Sequence, residues 1–148
     1  MRNYAGTAAA SKASGNTHSA LVGATTIRAQ LYELSFGSVG TPADTAHEFS
    51  LARTDAATAG TPAAVSLAKL DTLDGANVAV LNTYASVYPT NYVAGDLLNF
   101  VMNRRVTWRW VAYPDCEIKI PAVAANLLGL RTITTDGSQW NVAWQWRE

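Results

Sequence analysis

Apolar and polar side chains alternate along most of this chain, and the period is two. The plainest case lies near the C-terminus, where Trp140, Val142, Trp144 and Trp146 interleave with Asn141, Ala143, Gln145 and Arg147. A pleated strand sends successive side chains to opposite faces, so this run predicts a strand buried on one side. Residues 25–36 repeat the pattern, with Tyr32, Leu34 and Phe36 on one face of a β-rich stretch. Phe49 and Leu51 mark a second strand, Val65 and Leu67 a third, and Val78 and Val80 a fourth. Leu97, Leu98, Phe100 and Val101 form a further apolar strand. Val106, Trp108, Trp110 and Ala112 then face away from Arg105, Thr107 and Arg109. Cys116, Ile118 and Ile120 alternate with Glu117 and Lys119, and Leu128, Leu130 and Thr132 complete the series.

Between these runs lie turn residues: 37–42 (GSVGTP), 55–62 (DAATAGTP), 71–75 (DTLDG), Tyr113-Pro114-Asp115 and Asp136-Gly137. Residues 82–91 read as irregular because Pro89 cannot donate to a ladder. Only residues 65–73 could form a helix, of two turns, confined between Pro62 and Gly75. About eight or nine strands at short, even spacing predict an all-β antiparallel β-sandwich. A jelly-roll-like arrangement of two sheets fits best, with an immunoglobulin-like sandwich second.

The first residues break the pattern. MRNYAGTAAASKASGNTHSALVG is Ala, Ser, Gly, Thr and Asn with neither period, and it offers little apolar surface to offset its ordering entropy. It is expected to form a flexible, extended N-terminal arm over 1–23, ordered only against a neighbouring subunit, ahead of a β-sandwich domain over 24–148.

Composition narrows the function. The chain has 148 residues, 49% apolar and only 15% charged, with 11 basic and 11 acidic side chains cancelling. That is one domain with ample core material and quiet surfaces. A zero net charge lacks the basic surplus that coating nucleic acid requires, so no direct nucleic-acid partner is expected. Tyr4, Ser11, Lys12, Asn16 and His18 interrupt any leader-like apolar run, and no window reaches the ~20 apolar residues of a membrane span. A membrane partner is therefore not expected. The single cysteine, Cys116, excludes an internal disulfide and a thiolate metal site, and reads as a small core residue in a reducing cytoplasm.

Catalytic chemistry is hard to assemble. His18 and His47 have no second histidine at ligand spacing and read as exposed polar residues, so no metal site is expected. Asp71 and Asp74 sit in a turn, and Asp44, Asp55, Asp96, Asp115 and Asp136 have turn neighbours that account for them. There is no G-x-S-x-G, P-loop or G-x-G-x-x-G. The expectation is a protein that is not an enzyme, with no cofactor. The tryptophans share faces with valines and read as core. Tyr84, Tyr88 and Tyr92 instead recur every fourth residue in an irregular stretch, and form the candidate contact surface, as an interface ahead of a ligand platform. Arg104, Arg105 and Arg109 form a modest basic patch beside the Trp strand, suited to a protein interface.

Residues 31–71 (LYELSFGSVGTPADTAHEFSLARTDAATAGTPAAVSLAKLD) and 103–132 (NRRVTWRWVAYPDCEIKIPAVAANLLGLRT) carry a resemblance. With GxxGTPAD after the first strand and the RVTWRWVA strand, the chain resembles the cement, or decoration, proteins encoded beside the major capsid protein of tailed bacteriophages. The resemblance spans about residues 27–148 and identifies no functional residue by itself. It implies a jelly roll or related sandwich, a homotrimer at three-fold or quasi-three-fold positions, and the major capsid protein as partner. It also implies a place on the outer surface of the virion after synthesis in the host cytoplasm. Other virion sandwiches (a head fibre or tail module) and a glycan-binding module are the alternatives.

Overall fold

Every regular element is a β-strand among the residues that the computed structural model describes, which are 1–41, 43–54, 61–89, 92–93, 95–123 and 126–148. In chain order they are β1 (Asn3–Ser11), β2 (Thr17–Val22), β3 (Gln30–Ser38), β4 (Ala46–Thr54), β5 (Pro62–Ala64) and β6 (Leu67–Lys69). Then follow β7 (Val80–Tyr84), β8 (Leu98–Asn103), β9 (Trp108–Val111), β10 (Ile118–Lys119), β11 (Leu127–Thr134) and β12 (Gln139–Arg147). All pairings are antiparallel. Sheet A runs β10-β3-β12-β1-β6, with β9 also on β3, and sheet B runs β5-β7-β2-β11-β4-β8. With β5, β6, β7 and β10 set aside, the orders reduce to β1-β12-β3-β9 and β2-β11-β4-β8. Along the chain these eight strands alternate between the sheets, except that β4 and β8 both lie in sheet B.

The core lies between the two layers. Sheet A contributes Tyr4, Leu34, Phe36, Trp140, Val142, Trp144 and Trp146, and sheet B contributes Leu21, Phe49, Leu51, Leu81, Phe100, Leu128 and Leu130. Period-two alternation selects these residues, as β12 demonstrates: its even-numbered positions are buried and its odd ones are not. Edge-tilted ring pairs bind the layers together, Phe49–Trp140 at 5.3 Å and Phe36–Phe49 at 5.5 Å between centroids.

Four expectations need correction. Residues 1–23 are no arm: β1 pairs along its whole length with β12, and β2 lies between β7 and β11 inside sheet B. Their small side chains fill space that larger neighbours leave. Gly6 shows the reason, since a Cβ there would stand 2.7 Å from Leu67 Cδ2 and 2.9 Å from Leu81 Cδ2. The possible helix at 65–73 is instead β6 and a turn. Both histidines are buried, not exposed. Cys116 is exposed, because the strand it was assigned to is only Ile118–Lys119 and begins after it. The expected turn at 55–62 lies mostly outside the described residues. Trp108 and Trp110, on edge strand β9, are only partly buried, yet they pack on the core as read.

His18 owes its burial to an irregularity. The β2–β11 register shifts between Leu130 and Arg131, so that Ser19 faces Leu130, Thr17 faces Arg131, and His18 is the extra residue. It turns inward beside Phe49. Trp144 Nε1–H donates to Ser19 Oγ at 3.0 Å, Ser19 Oγ meets His18 Nδ1 at 3.0 Å, and His18 Nε2 meets the Trp140 carbonyl at 3.1 Å. A neutral ring protonated on Nε2 satisfies the whole series, with Ser19 donating to Nδ1. Burial pushes the imidazole down to about 4.

Candidate functional site

The three tyrosines gather on the outer face of sheet B. Tyr84 ends β7 and is buried in a small cluster with Ala20 and Leu127, against which Tyr88 packs. Lys12 donates to the Tyr84 carbonyl, and its ammonium lies 5.3 Å from the centre of the Tyr88 ring. Tyr92 lies flat on β11 over Gly129, where a Cβ would approach its hydroxyl to 2.6 Å. Its hydroxyl bonds with that of Thr17, and the Arg131 guanidinium covers its ring at 4.5 Å. Asp96 holds Arg131 in turn at 2.7 Å. Burial pushes the Tyr92 phenol up to about 12, against the opposing pull of Thr17 and Arg131. Tyr84 and Tyr92 therefore spend their rings inside the molecule. Tyr88, Pro89, Tyr92 and Arg131 line a shallow cleft of about 340 Å³ with Gly15 and Asn16.

The three arginines are separately matched with acids. Arg104 Nη1 meets Asp136 Oδ2 at 3.1 Å, and the other carboxylate oxygen lies 3.3 Å from the buried His47 Nε2. Asp136 is held well below the usual carboxylate range, first by the hydroxyl and N–H of Ser138, then by His47 and Arg104. Burial pushes the His47 imidazole down, and the Asp136 charge opposes this. Arg105 meets Asp44 at 2.7 Å on the surface. Arg109 forms a two-pronged pair with Glu33 across β3 and β9, Nε to Oε1 at 2.7 Å and Nη2 to Oε2 at 2.6 Å. That pair holds the Glu33 carboxyl down against its burial. A basic patch on paper is thus three ion pairs in space.

A different surface presents apolar side chains. Lys119, Gln30, Arg147 and Asn3 pair in a row across sheet A, and Leu70 N–H bonds to the Asn3 carbonyl at 2.9 Å. Two connections flank this row. One carries Leu70 and Leu73 before β7, and the other follows Val111, the last residue of β9, and carries Tyr113 before β10. Leu73 is 91% exposed and Tyr113 82%, with Leu70 and Val111 about half exposed. The first connection is rigid: Asp74 accepts the Asn3 N–H at 2.9 Å, and Asp71 accepts the Leu73 N–H at 2.9 Å. Glu148 completes the end by accepting N–H bonds from Val78 and Ala79. Neither Leu73 nor Tyr113 stood out in the sequence, because a single apolar residue inside a turn carries no periodic signal.

Among the described residues no three His, Cys, Asp or Glu side chains gather as a metal site. His47 and Asp136 do meet, and the cation beside that carboxylate is the Arg104 guanidinium. Comparison with family models, with curated proteins and with solved structures found no match.

Proposed function

We propose that this chain is a structural protein of a virion, a cement or decoration protein that seats on the outer surface of a tailed-phage head and ties major capsid proteins together. The observation that supports this most is the apolar end of sheet A. Leu70 and Leu73 stand out from one connection, and Val111 and Tyr113 from the end of β9 and the turn after it. Hydrogen bonds tie both backbones down, so little order is lost when they are covered. Burying one such side chain contributes about 1.5–3 kcal/mol, and repetition over a lattice multiplies modest contacts. We read the strand orders β1-β12-β3-β9 and β2-β11-β4-β8 as a jelly roll, the eight-stranded double Greek key. A stiff body of this kind transmits strain between the subunits it clamps.

The test uses shells assembled from the major capsid protein of the phage whose genome carries this chain. The full chain co-sediments with them, and cryo-microscopy finds the Leu73–Tyr113 end against the shell. Leu73→Lys with Tyr113→Lys weakens binding by at least about tenfold, while the melting temperature stays within a few degrees. Absence of binding by the unaltered chain overturns the reading, and quenching of its Trp fluorescence by glycans would replace it with a sugar-binding one.

A further inference from the structure

We infer that the free edge of β8 receives a second copy of this chain, by antiparallel strand pairing about a two-fold axis at Val101. The inference concerns copy-to-copy association and does not depend on the shell reading.

The first reason is a contrast among sheet edges. An unpaired edge templates foreign strands, and proteins blunt theirs with short length, Pro or charge. Among the described residues, β5 has three residues and begins with Pro62, while β6 has three and ends with Lys69. β9 has four with Arg109, and β10 has two with Lys119. β8 has six residues, LNFVMN, with no charge and no proline, and it pairs with β4 without a register shift. It alone lacks every blunting device.

The second reason is the phase of the ladder. Arg104 N–H bonds to the Thr45 carbonyl, and Asn103 stands opposite Ala46. Antiparallel bonding alternates, so the even-numbered residues of β8 bond to β4, and Asn99, Val101 and Asn103 turn their peptide groups outward. The Asn103 carbonyl already accepts from Val106 N–H at 3.2 Å. What remains outward is the N–H and C=O of Asn99 and Val101 and the N–H of Asn103.

The third reason is that this edge complements itself. Asn99-Phe100-Val101-Met102-Asn103 is nearly palindromic about Val101. Paired about that centre, Val101 faces its own copy, each Asn103 faces the other copy's Asn99, and each Phe100 faces Met102. The free backbone groups then form about four bonds, two between the valines and one from each Asn103 N–H to an Asn99 carbonyl. The side chains match as well. Asn99 Nδ2 donates to Glu48 at 2.8 Å, leaving its carbonyl oxygen, whereas Asn103 Oδ1 accepts from Arg105 N–H at 2.9 Å, leaving its NH2. Donor therefore meets acceptor on both sides of the axis. Val101, 69% exposed, is covered by its twin. The nearest like charges, the two Glu48 carboxylates on β4, are about three strand spacings apart, roughly 14 Å, beyond the screening length of physiological salt.

The experiment is sedimentation equilibrium of the full chain, with cross-linking as the second readout. The chain sediments as a monomer–dimer equilibrium at concentrations up to about 1 mM, and Val101→Lys, a change at an exposed position, shifts it to monomer without altering the circular dichroism. In a Cys116→Ser background, Val101→Cys places two sulfurs on strands whose Cα atoms lie about 5.5 Å apart, and mild oxidation joins them. Val111→Cys, on the neighbouring edge, stays unjoined. A chain that is monomeric throughout, an assembly indifferent to Val101→Lys, or equal cross-linking at both positions overturns the proposal.

Discussion

β1 and β12 lie side by side in sheet A, paired from Asn3–Arg147 to Ser11–Gln139, and they are written in different alphabets. β12 announces itself with three tryptophans and a valine on its inner face. β1 places Tyr4, Gly6 and Ala8 on the same face and is buried there just as fully. The difference teaches that burial is shared between neighbours at fixed total volume. Where β12 brings a large ring, the adjacent strand must bring little, and a tract of small residues is the outcome. Such a tract resembles a linker only when read without its partner.

Removing residues 1–22 should break this comparison most completely. The truncation takes out β1 and β2, exposes the inner edge of β12 and removes the strand between β7 and β11. We expect no cooperative unfolding transition by circular dichroism; a truncated chain that melts sharply would restore the flexible-arm view.

The next largest effect is in the pH dependence of stability. His18 is neutral in the fold with its pKa down at about 4, against about 6.5 when unfolded. A base whose folded pKa is depressed binds more protons when unfolded. Its contribution is therefore complete above pH ~6.5 and is lost progressively down to about 4, a loss on the order of 3 kcal/mol. His47, also pushed down, adds to it in the same direction. Denaturant titrations at pH 7 and 4.5 should differ accordingly, and His18→Gln should shrink that difference; an unchanged difference would remove His18 from the account.

Gly6→Val sharpens the comparison at the smallest scale. The new side chain meets Leu67 and Leu81 at once, and the overpacking should cost about 1–3 kcal/mol in chemical denaturation. A neutral result would mean that the β1 tract is replaceable by larger residues and that its smallness has another origin.

The same logic separates what could be read in the sequence from what could not. β12 was legible because large apolar side chains alternate with partly or fully exposed ones. β3, β4 and β11 were legible because large apolar residues still recur at period two, although Ser50, Ala52 and Leu127 are buried. In β3 a register shift puts Leu31 rather than Tyr32 on the face of Leu34 and Phe36. β2 was not, because Thr17, His18, Ser19 and Ala20 are all buried and polarity no longer marks a face. His18 needs a bulge to turn inward, and a bulge is set by the partner strand rather than by local residues. Among candidate sites, the Tyr84–Tyr88–Tyr92 spacing did mark a real cluster. Its sequence could not say that Gly129 and Arg131, four decades further along the chain, would hold Tyr92 down as a lid on sheet B. Arg104, Arg105 and Arg109 were seen as neighbours, but their acids come from elsewhere in the chain, Glu33 from β3 and Asp44 and Asp136 from connections.

The pairing of β1 with β12, and of β2 with β11, also sets an order of events during synthesis. β1 and β2 find their partners β12 and β11 far later along the chain, and until then only the shorter ladders to β6 and β7 can form. Until β11 and β12 leave the ribosome, the edges of β1 and β2 that they cover stay unpaired. Folding is then expected to be slow and post-translational, with nascent chains depending on holding factors or on rapid dilution to avoid mispairing.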